Sequence, residues 1–237
     1  MKKNLKKWVL LLMTTITLPV SSLAQDKVEA TVGADLVSGY IWRGQDLGGA
    51  SIQPSMSVSY KGLSLSAWGS LGLNREDAKE IDLTLSYEIG NFIIAVTDFW
   101  SIPYDKEEDT NYFDYNAHTT SHVFEAQIGY DFGIFALNWF TNFAGADGVN
   151  KKEERAYSSY ISVIAPFRLG GLDWEAEVGA TPWTNDYYYA TGFAVCDVSL
   201  SASKEIKITE SYSLPIYGKA TFNPTSDKAY FTFGISF

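Results

Sequence analysis

The sequence lacks three features that would place it in a common class of protein. It has one cysteine among 237 residues, which excludes a disulfide framework and a cysteine-rich zinc site. Past residue 25 it has no uncharged apolar run near the ~20 residues that a membrane-spanning helix needs. Basic residues are scarce, 18 against 28 acidic ones, and no basic patch follows the first few residues. Nucleic acid is therefore not an expected partner.

The first 24 residues have the three-part pattern of a cleaved signal peptide. Four lysines fall within residues 1–7, an uncharged apolar run covers residues 8–18, and the segment ends in Ser22-Leu23-Ala24. The apolar run is too short for a membrane anchor, and Gln25 stands where a bacterial lipoprotein needs a cysteine. We predict a signal peptide at residues 1–24 and an exported domain at residues 25–237.

The exported part is rich in apolar residues that alternate with polar ones. Val28, Ala30 and Val32, for example, alternate with Glu29 and Thr31. A period of two is typical of a half-buried β-strand. Residues 92–99 are apolar on both faces, so the pattern leaves their register open. The twelve predicted strands are residues 28–35, 52–60, 63–68, 81–88, 92–99, 124–130, 135–142, 161–165, 172–178, 196–201, 214–222 and 229–237.

The connections between these segments alternate in length. Short turns at residues 61–62, 90–91, 131–133, 168–171 and 209–212 are separated by longer polar loops. Short connections on one rim and long ones on the other are typical of barrels in an outer membrane. We predict an all-β fold, a transmembrane antiparallel up-and-down β-barrel of twelve strands, with ten or fourteen as alternatives. Its predicted place is the outer membrane of a Gram-negative bacterium, among lipid and lipopolysaccharide, with both termini periplasmic.

A soluble secreted β-sandwich also has alternating strands and is the alternative fold. The apolar face of this chain carries aromatic residues near the strand ends, as a lipid interface favours. Tyr40, Trp42 and Trp174 are the residues that we assign to this aromatic girdle. The opposite face is almost wholly polar, which suits a wet lumen and favours the barrel over the sandwich.

Two ends of the chain are similar to a known family. The stretch Ser38-Gly39-Tyr40-Ile41-Trp42-Arg43-Gly44, followed by Tyr60-Lys61-Gly62 and Trp68-Gly69-Ser70, resembles the opening hairpin of the TorF-type outer-membrane porins. These are small barrels of poorly defined function. The closing Phe222-Asn223-Pro224 and the terminal Phe237 resemble that family as well. The resemblance, over residues 35–70 and 214–237, implies a barrel, a pore, and a C-terminal strand read by the barrel assembly machinery. It implies no catalytic or ligand residue.

Carboxylates dominate the face that is predicted to line the lumen. Arg43 and Lys219 are the basic residues expected to form ion pairs with these carboxylates. Arg43 either crosses the lumen to a carboxylate or lies exposed at the rim. A lumen that keeps its negative charge favours cations. If loops fold inward and neutralise that charge, the barrel is plugged. By strand parity the inward acids are Glu29, Asp35, Asp82, Glu88, Glu125, Asp173, Glu175, Glu177 and Asp197.

Aromatic residues also fall on the inward face. Such rings either pack on one another or stack on a sugar or nucleobase that enters the lumen. The sequence leaves both interpretations open for Trp68, Phe140, Tyr160, Tyr217 and Tyr230.

Together these patterns predict a porin-like channel for passive diffusion of small neutral or cationic solutes, with no cofactor, no metal and no catalysed reaction. One alternative is a closed barrel that binds a partner through its loops, best supported by the aromatic loop at residues 101–121. The other is a lipid-modifying hydrolase, for which Ser121 and His122 are the only pair to consider. Cys196 is expected to face lipid as an inert apolar residue.

Overall fold

The computed structural model describes residues 27–102 and 110–237, which form an all-β chain. The predicted signal peptide lies outside the described residues. No helix in these two ranges is long and apolar enough to cross a membrane. The strands are β1 (Glu29–Val37), β2 (Tyr40–Trp42), β3 (Gln45–Gly48), β4 (Ser51–Tyr60), β5 (Leu63–Gly72), β6 (Lys79–Ile89), β7 (Phe92–Ile102), β8 (His122–Asp131), β9 (Ala136–Gly145), β10 (Ser159–Leu169), β11 (Leu172–Thr181), β12 (Ala194–Lys207), β13 (Ser213–Asn223) and β14 (Lys228–Ser236).

All of these strands except β2 and β3 form one closed antiparallel barrel of twelve strands. Strand β1 pairs with β4 on one side and with β14 on the other, which closes the cylinder. The β1–β4 ladder covers the whole of Glu29–Val37, whereas the closing seam pairs only Asp35–Val37 with β14. The predicted twelve-stranded antiparallel barrel is confirmed, and the sandwich alternative is wrong.

Connections of two to five residues join strands at one rim, and all but one of those at the other rim are longer. The turn Lys61-Gly62 shows why the short ones form, since its two residues have φ angles of 50° and 86°. Two successive positive φ angles give the type I′ turn, whose twist matches that of paired antiparallel strands. Strand β1 begins, and β14 ends, toward this short-turn rim.

Apolar and polar side chains are distributed in the opposite way to those of a water-soluble protein. Large apolar side chains alternate along the strands and stay exposed, such as Val32 at 83% and Phe231 at 78%. Their polar neighbours point into the barrel, and Asn138 and Ser162 have no exposed surface at all. The outside of the barrel is therefore apolar, and its inside holds the buried polar groups.

The structure fixes the register of β7, which the sequence leaves open. Phe92, Ile94 and Val96 are exposed on the outer face, and Ile93 and Ala95 are buried on the inner face. This part of the lumen wall is consequently less polar than the pattern of the other strands suggests.

Candidate functional site

The connection between β1 and β4 does not remain outside the barrel. It forms the hairpin β2–β3, in which Trp42 pairs with Gln45 across the two-residue turn Arg43-Gly44. The φ angles of Arg43 and Gly44 are 49° and 76°, again those of a type I′ turn. The tip of the hairpin reaches inward-facing residues about three positions from the strand ends, or ~10 Å below the long-loop rim. We call residues 38–50 the lumen hairpin.

Arg43 at the tip of the lumen hairpin is ion-paired with Glu125 of β8. Its Nη1 and Nη2 donate to the two carboxylate oxygens at 2.5 and 2.8 Å, a bidentate geometry. Nη1 also donates to the Tyr188 hydroxyl at 2.7 Å. Arg43 is 6% exposed and Glu125 is 4% exposed, so this ion pair is removed from water.

Aromatic rings surround the same guanidinium. Its Cζ lies 4.2 Å from the ring centre of Trp42, 4.1 Å from that of Phe140 and 4.7 Å from that of Tyr160. Cations over ring faces at these distances are attracted by the ring quadrupole. Burial lowers the pKa of Arg43, but the charges and hydrogen bonds of Glu125 and Tyr188 together outweigh that effect and raise the pKa above its ordinary value. Arg43 therefore stays charged inside an aromatic box.

Gly44 docks the tip against the far wall of the barrel. A Cβ at this position would lie 1.8 Å from the backbone oxygen of Cys196, so only glycine fits. The Gly44 carbonyl accepts a hydrogen bond from Asn223 Nδ2 at 3.0 Å, and its backbone N–H lies near the Asp197 carboxylate. The hairpin therefore bridges β8 on one side and β12 and β13 on the other.

The base of the lumen hairpin is held by different contacts. The Tyr40 ring packs on Trp68 of β5 at 5.4 Å, and its hydroxyl is hydrogen bonded to Glu80 of β6. The Trp42 ring meets Phe99 of β7 edge-on at 5.8 Å. The structure thus corrects the outward girdle position expected for Tyr40 and Trp42. Their strand parity does not continue from β1, because the chain leaves the barrel wall after Val37.

Trp174 and Phe237 lie on the barrel wall. Trp174 is stacked on Phe167 at 6.0 Å on the outer face, near the short-turn rim. Phe237 is 66% exposed directly after β14, and its N–H donates to the Ala34 carbonyl at 2.9 Å. Its backbone thus extends the closing seam by one residue.

The structure divides the nine inward acids by depth. Glu29, Glu88 and Asp173 lie toward the short-turn rim and keep part of their surface exposed, and Asp173 is ion-paired with Arg168. Glu175 is half-buried in the middle of β11. Five acids are at most 4% exposed, at or next to the level of the hairpin: Asp35, Asp82, Glu125, Glu177 and Asp197.

Lys219 has one ion-pair partner in the described part of the chain. Its Nζ lies 3.7 Å from Glu177 Oε2, and the other oxygen of Glu177 accepts a hydrogen bond from the Tyr160 hydroxyl at 3.0 Å. The two basic residues singled out in the sequence, Arg43 and Lys219, are thus each beside a lumen acid. Sequence patterns did not identify Glu80 or Tyr188, which complete the contacts of the hairpin.

Cys196 lies inside the barrel, which corrects the expectation that it faces lipid. It is 1% exposed and packs in one cluster with Phe140, Tyr160 and Tyr188. The β11–β12 ladder shifts register between Gly179 and Ala180, so Cys196 falls out of the strict alternation of β12. The inward aromatics Tyr217 and Tyr230 lie outside this cluster.

A cavity occupies the lumen on the short-turn side of the hairpin. It contains about 1030 Å³ free of protein atoms, counted together with its opening to solvent. Trp42 and Arg43 line it from the hairpin, and β1 and β4–β9 supply its wall. The other eight lumen acids do not line it. Of these, Glu177 and Asp197 lie on the opposite wall.

His122 lies on the outer face of β8, opposite Trp100 of β7. Its Nδ1 is 2.6 Å from Asp98 Oδ1 and its Nε2 is 2.7 Å from the Tyr112 carbonyl oxygen. The Tyr115 ring stacks on it at 4.4 Å. Both ring nitrogens are therefore engaged, and neither is paired with the hydroxyl of Ser121. His122 anchors the 110–121 segment to the barrel.

Within residues 27–102 and 110–237, no three histidine, cysteine or acidic side chains are placed to hold a metal ion. No protein-family model matches the sequence, and no curated protein matches it significantly.

Proposed function

We propose that this chain is an outer-membrane β-barrel whose narrow, hydrated lumen passes small neutral or cationic solutes and is constricted by the lumen hairpin. The apolar outer face supports the membrane setting. Exposed side chains such as Val32, Leu65 and Phe231 form a continuous apolar surface that water disfavours and lipid accepts. Closure of the barrel pairs β1 with β14, so no strand is left with a wholly unpaired edge, as a lipid environment favours.

The single observation that carries the proposal is the position of the lumen hairpin. It crosses the lumen between β8 and β12 and is held by the Arg43–Glu125 ion pair and by the hydrogen bond from Asn223 to the Gly44 carbonyl. A loop that only shields the rim has no need of a buried Arg43–Glu125 pair. We infer that the hairpin sets the size of the pore, as a constriction near the extracellular side.

Charge supports the choice of solute. The lumen wall carries more acids than bases, with Glu175, Glu177 and Asp197 facing the single ammonium of Lys219 on the β11–β13 wall. An acidic lining attracts cations and repels anions. Twelve strands lie between the eight that side chains fill completely and the sixteen of open porins, so a narrow path fits the architecture. The resemblance to TorF-type porins agrees with this proposal.

The orientation follows from the connections. In outer-membrane barrels the short turns face the periplasm and the long loops face outward. Both ends of the described chain lie toward the short-turn rim, so both termini are periplasmic in this proposal. We further propose that the C-terminal strand, ending at Phe237, is presented to the barrel assembly machinery.

The test compares planar-bilayer currents of the wild type with a variant that lacks the lumen hairpin. Val37 and Ser51 are register partners across the β1–β4 ladder, so a tight Asn-Gly turn can replace residues 38–50. We expect small cation-preferring currents from the wild type and clearly larger ones from the variant. A matched control shortens the exposed loop tip at residues 151–154, which should leave the wild-type current unchanged.

A folded hairpin-deleted barrel that carries no current at any salt concentration would exclude the channel. The second candidate function, a closed barrel that binds through its loops, would then replace it. That candidate is favoured by the exposed loop aromatics Phe113, Tyr189 and Phe193, each more than 70% exposed. In neither case do we propose a catalysed reaction.

A further inference from the structure

The open space in the lumen and the acidic wall lie on different sides of the barrel. The cavity beside the hairpin is bounded by β1 and β4–β9, whereas Glu175, Glu177, Asp197 and Lys219 belong to β11–β13. Among the described residues, Arg43 and Glu125 are the only charged ones on the cavity wall, and they neutralise each other through two hydrogen bonds. A solute in this cavity therefore meets a wall without net charge.

Hydroxyl groups dominate the polar part of that wall. Each serine or threonine hydroxyl can donate one hydrogen bond and accept others, which suits a ligand that carries hydroxyls of its own. A row of such side chains follows three neighbouring strands on the inner face: Ser55, Ser57, Ser64, Ser66, Thr84 and Ser86.

Aromatic side chains supply the apolar part. Trp42, Trp68, Phe99 and Phe140 line the cavity near the hairpin. Trp68 is 8% exposed, and its indole N–H has no hydrogen-bond partner in the described structure. This N–H has almost no accessible surface, so it is the ring of Trp68, and not its N–H, that borders the cavity.

We propose that this cavity is a binding site for a neutral polyhydroxylated solute of the size of a simple sugar. The inference rests on the proposed function and deepens it, because it assigns a substrate class to the lumen. Hydroxyl groups of the sugar would exchange hydrogen bonds with the serine row, and its apolar face would lie on the Trp68 side.

The experiment measures binding directly, so that it does not depend on conductance. Glucose, its cationic analogue glucosamine and the anionic glucuronate are titrated into the purified protein in detergent, with saturation-transfer NMR as the readout. We expect saturable binding of glucose, weaker binding of glucosamine and none of glucuronate.

Two variants locate the site. Ser66→Ala with Ser86→Ala removes two hydroxyls from the cavity wall, and we expect the dissociation constant for glucose to rise ~5- to 10-fold. Trp68→Leu removes the aromatic ring that borders the cavity and should also weaken binding. The matched control, Ser201→Ala, removes an inward hydroxyl on β12 and should change nothing.

Failure of this inference differs from failure of the proposed function. A protein that conducts but shows no saturable glucose binding overturns the sugar site and leaves the channel. A protein that binds glucose but never conducts keeps the site and overturns the channel. Binding of glucosamine without glucose also overturns the inference, because it would place the ligand on the acidic wall.

Discussion

Arg43 and Glu125 are 82 positions apart in the sequence, yet their side chains form two hydrogen bonds inside the barrel. This one pair ties the first long loop to the opposite wall. Because both partners are buried, losing either one leaves an uncompensated charge, which costs ~3–5 kcal/mol in proteins. The pair is therefore the first target for opening the lumen.

The substitution Arg43→Met should release the hairpin, since Glu125 loses its only cationic partner in the described structure and the aromatic box loses its cation. We expect larger unitary currents in planar bilayers, in a barrel that still folds. The double variant Arg43→Met, Glu125→Met should return toward the wild-type current, because an apolar pair can replace a buried ion pair. Identical currents in all three proteins would show that the hairpin does not limit flow.

Gly44→Ala should dislodge the tip by a different route. The added methyl would lie 1.8 Å from the Cys196 carbonyl, at a φ of 76° that disfavours alanine. Cys196 is the only cysteine and is buried beneath the tip, so its reaction with a small maleimide reports the movement. We expect faster labelling than in the wild type. Gly192→Ala, in open space at the surface, is the control, and equal rates for both variants would contradict a docked tip.

His122→Ala should free the loop segment at residues 110–121 from the outer face. The variant loses the contacts to Asp98 and to the Tyr112 carbonyl, and Tyr115 loses the ring on which it stacks. Chymotrypsin should then cleave after Tyr112 or Tyr115 at least several-fold faster. His118→Ala is the control, because His118 is exposed and belongs to the same segment. Unchanged cleavage by chymotrypsin would mean that other contacts hold the loop.

Glu175→Gln should lower the preference for cations without unfolding the barrel, because it removes one negative charge from the wall that holds Lys219. The measurement is the reversal potential across a salt gradient. Glu177→Gln should have a second effect, since it also weakens the only ion pair of Lys219 in the described residues. Glu210→Gln, on an exposed turn, should leave the reversal potential unchanged. If all three variants have the reversal potential of the wild type, these acids do not act on permeating ions.

Leu85→Arg tests which face of the barrel meets lipid. Leu85 is 52% exposed on the outer face near the middle of β6, where a charge near the bilayer midplane costs ~2–4 kcal/mol. We expect that loss in the free energy of folding into phospholipid vesicles. Val149→Arg, on a loop, is the control and should cost little. A wild-type protein that stays monodisperse in buffer without detergent would contradict the membrane setting altogether.

The barrel could be predicted from the sequence because strand periodicity is a local property. Alternation at Val28, Ala30 and Val32 requires only that one face meets an apolar phase and the other a polar one, and it recurs along the other predicted strands except residues 92–99. The strand number followed from the count, and the alternating connection lengths gave the rims. The register of β7 could not be predicted, because its inner face is apolar as well.

The lumen hairpin could not be predicted from strand periodicity. Strands β2 and β3 have three and four residues, which is too short for a period to show. The signal present was Arg43-Gly44, a pair suited to a type I′ turn, but its meaning depends on the distant residues Glu125 and Asp197. Tyr40 and Trp42 were misplaced for the same reason. Cys196 was misplaced because a register shift between Gly179 and Ala180 breaks alternation.

The junction of β1 with β14 is the shortest ladder of the cylinder, spanning only Asp35–Val37, with Phe237 adding main-chain contacts to Ala34. It also joins the first and last strands of the described chain, so the ring cannot close until all the strands between them are in place. Loss of the last strand would leave the facing edges of β1 and β13 unpaired. Integrity of the whole wall thus depends on a seam three residues long.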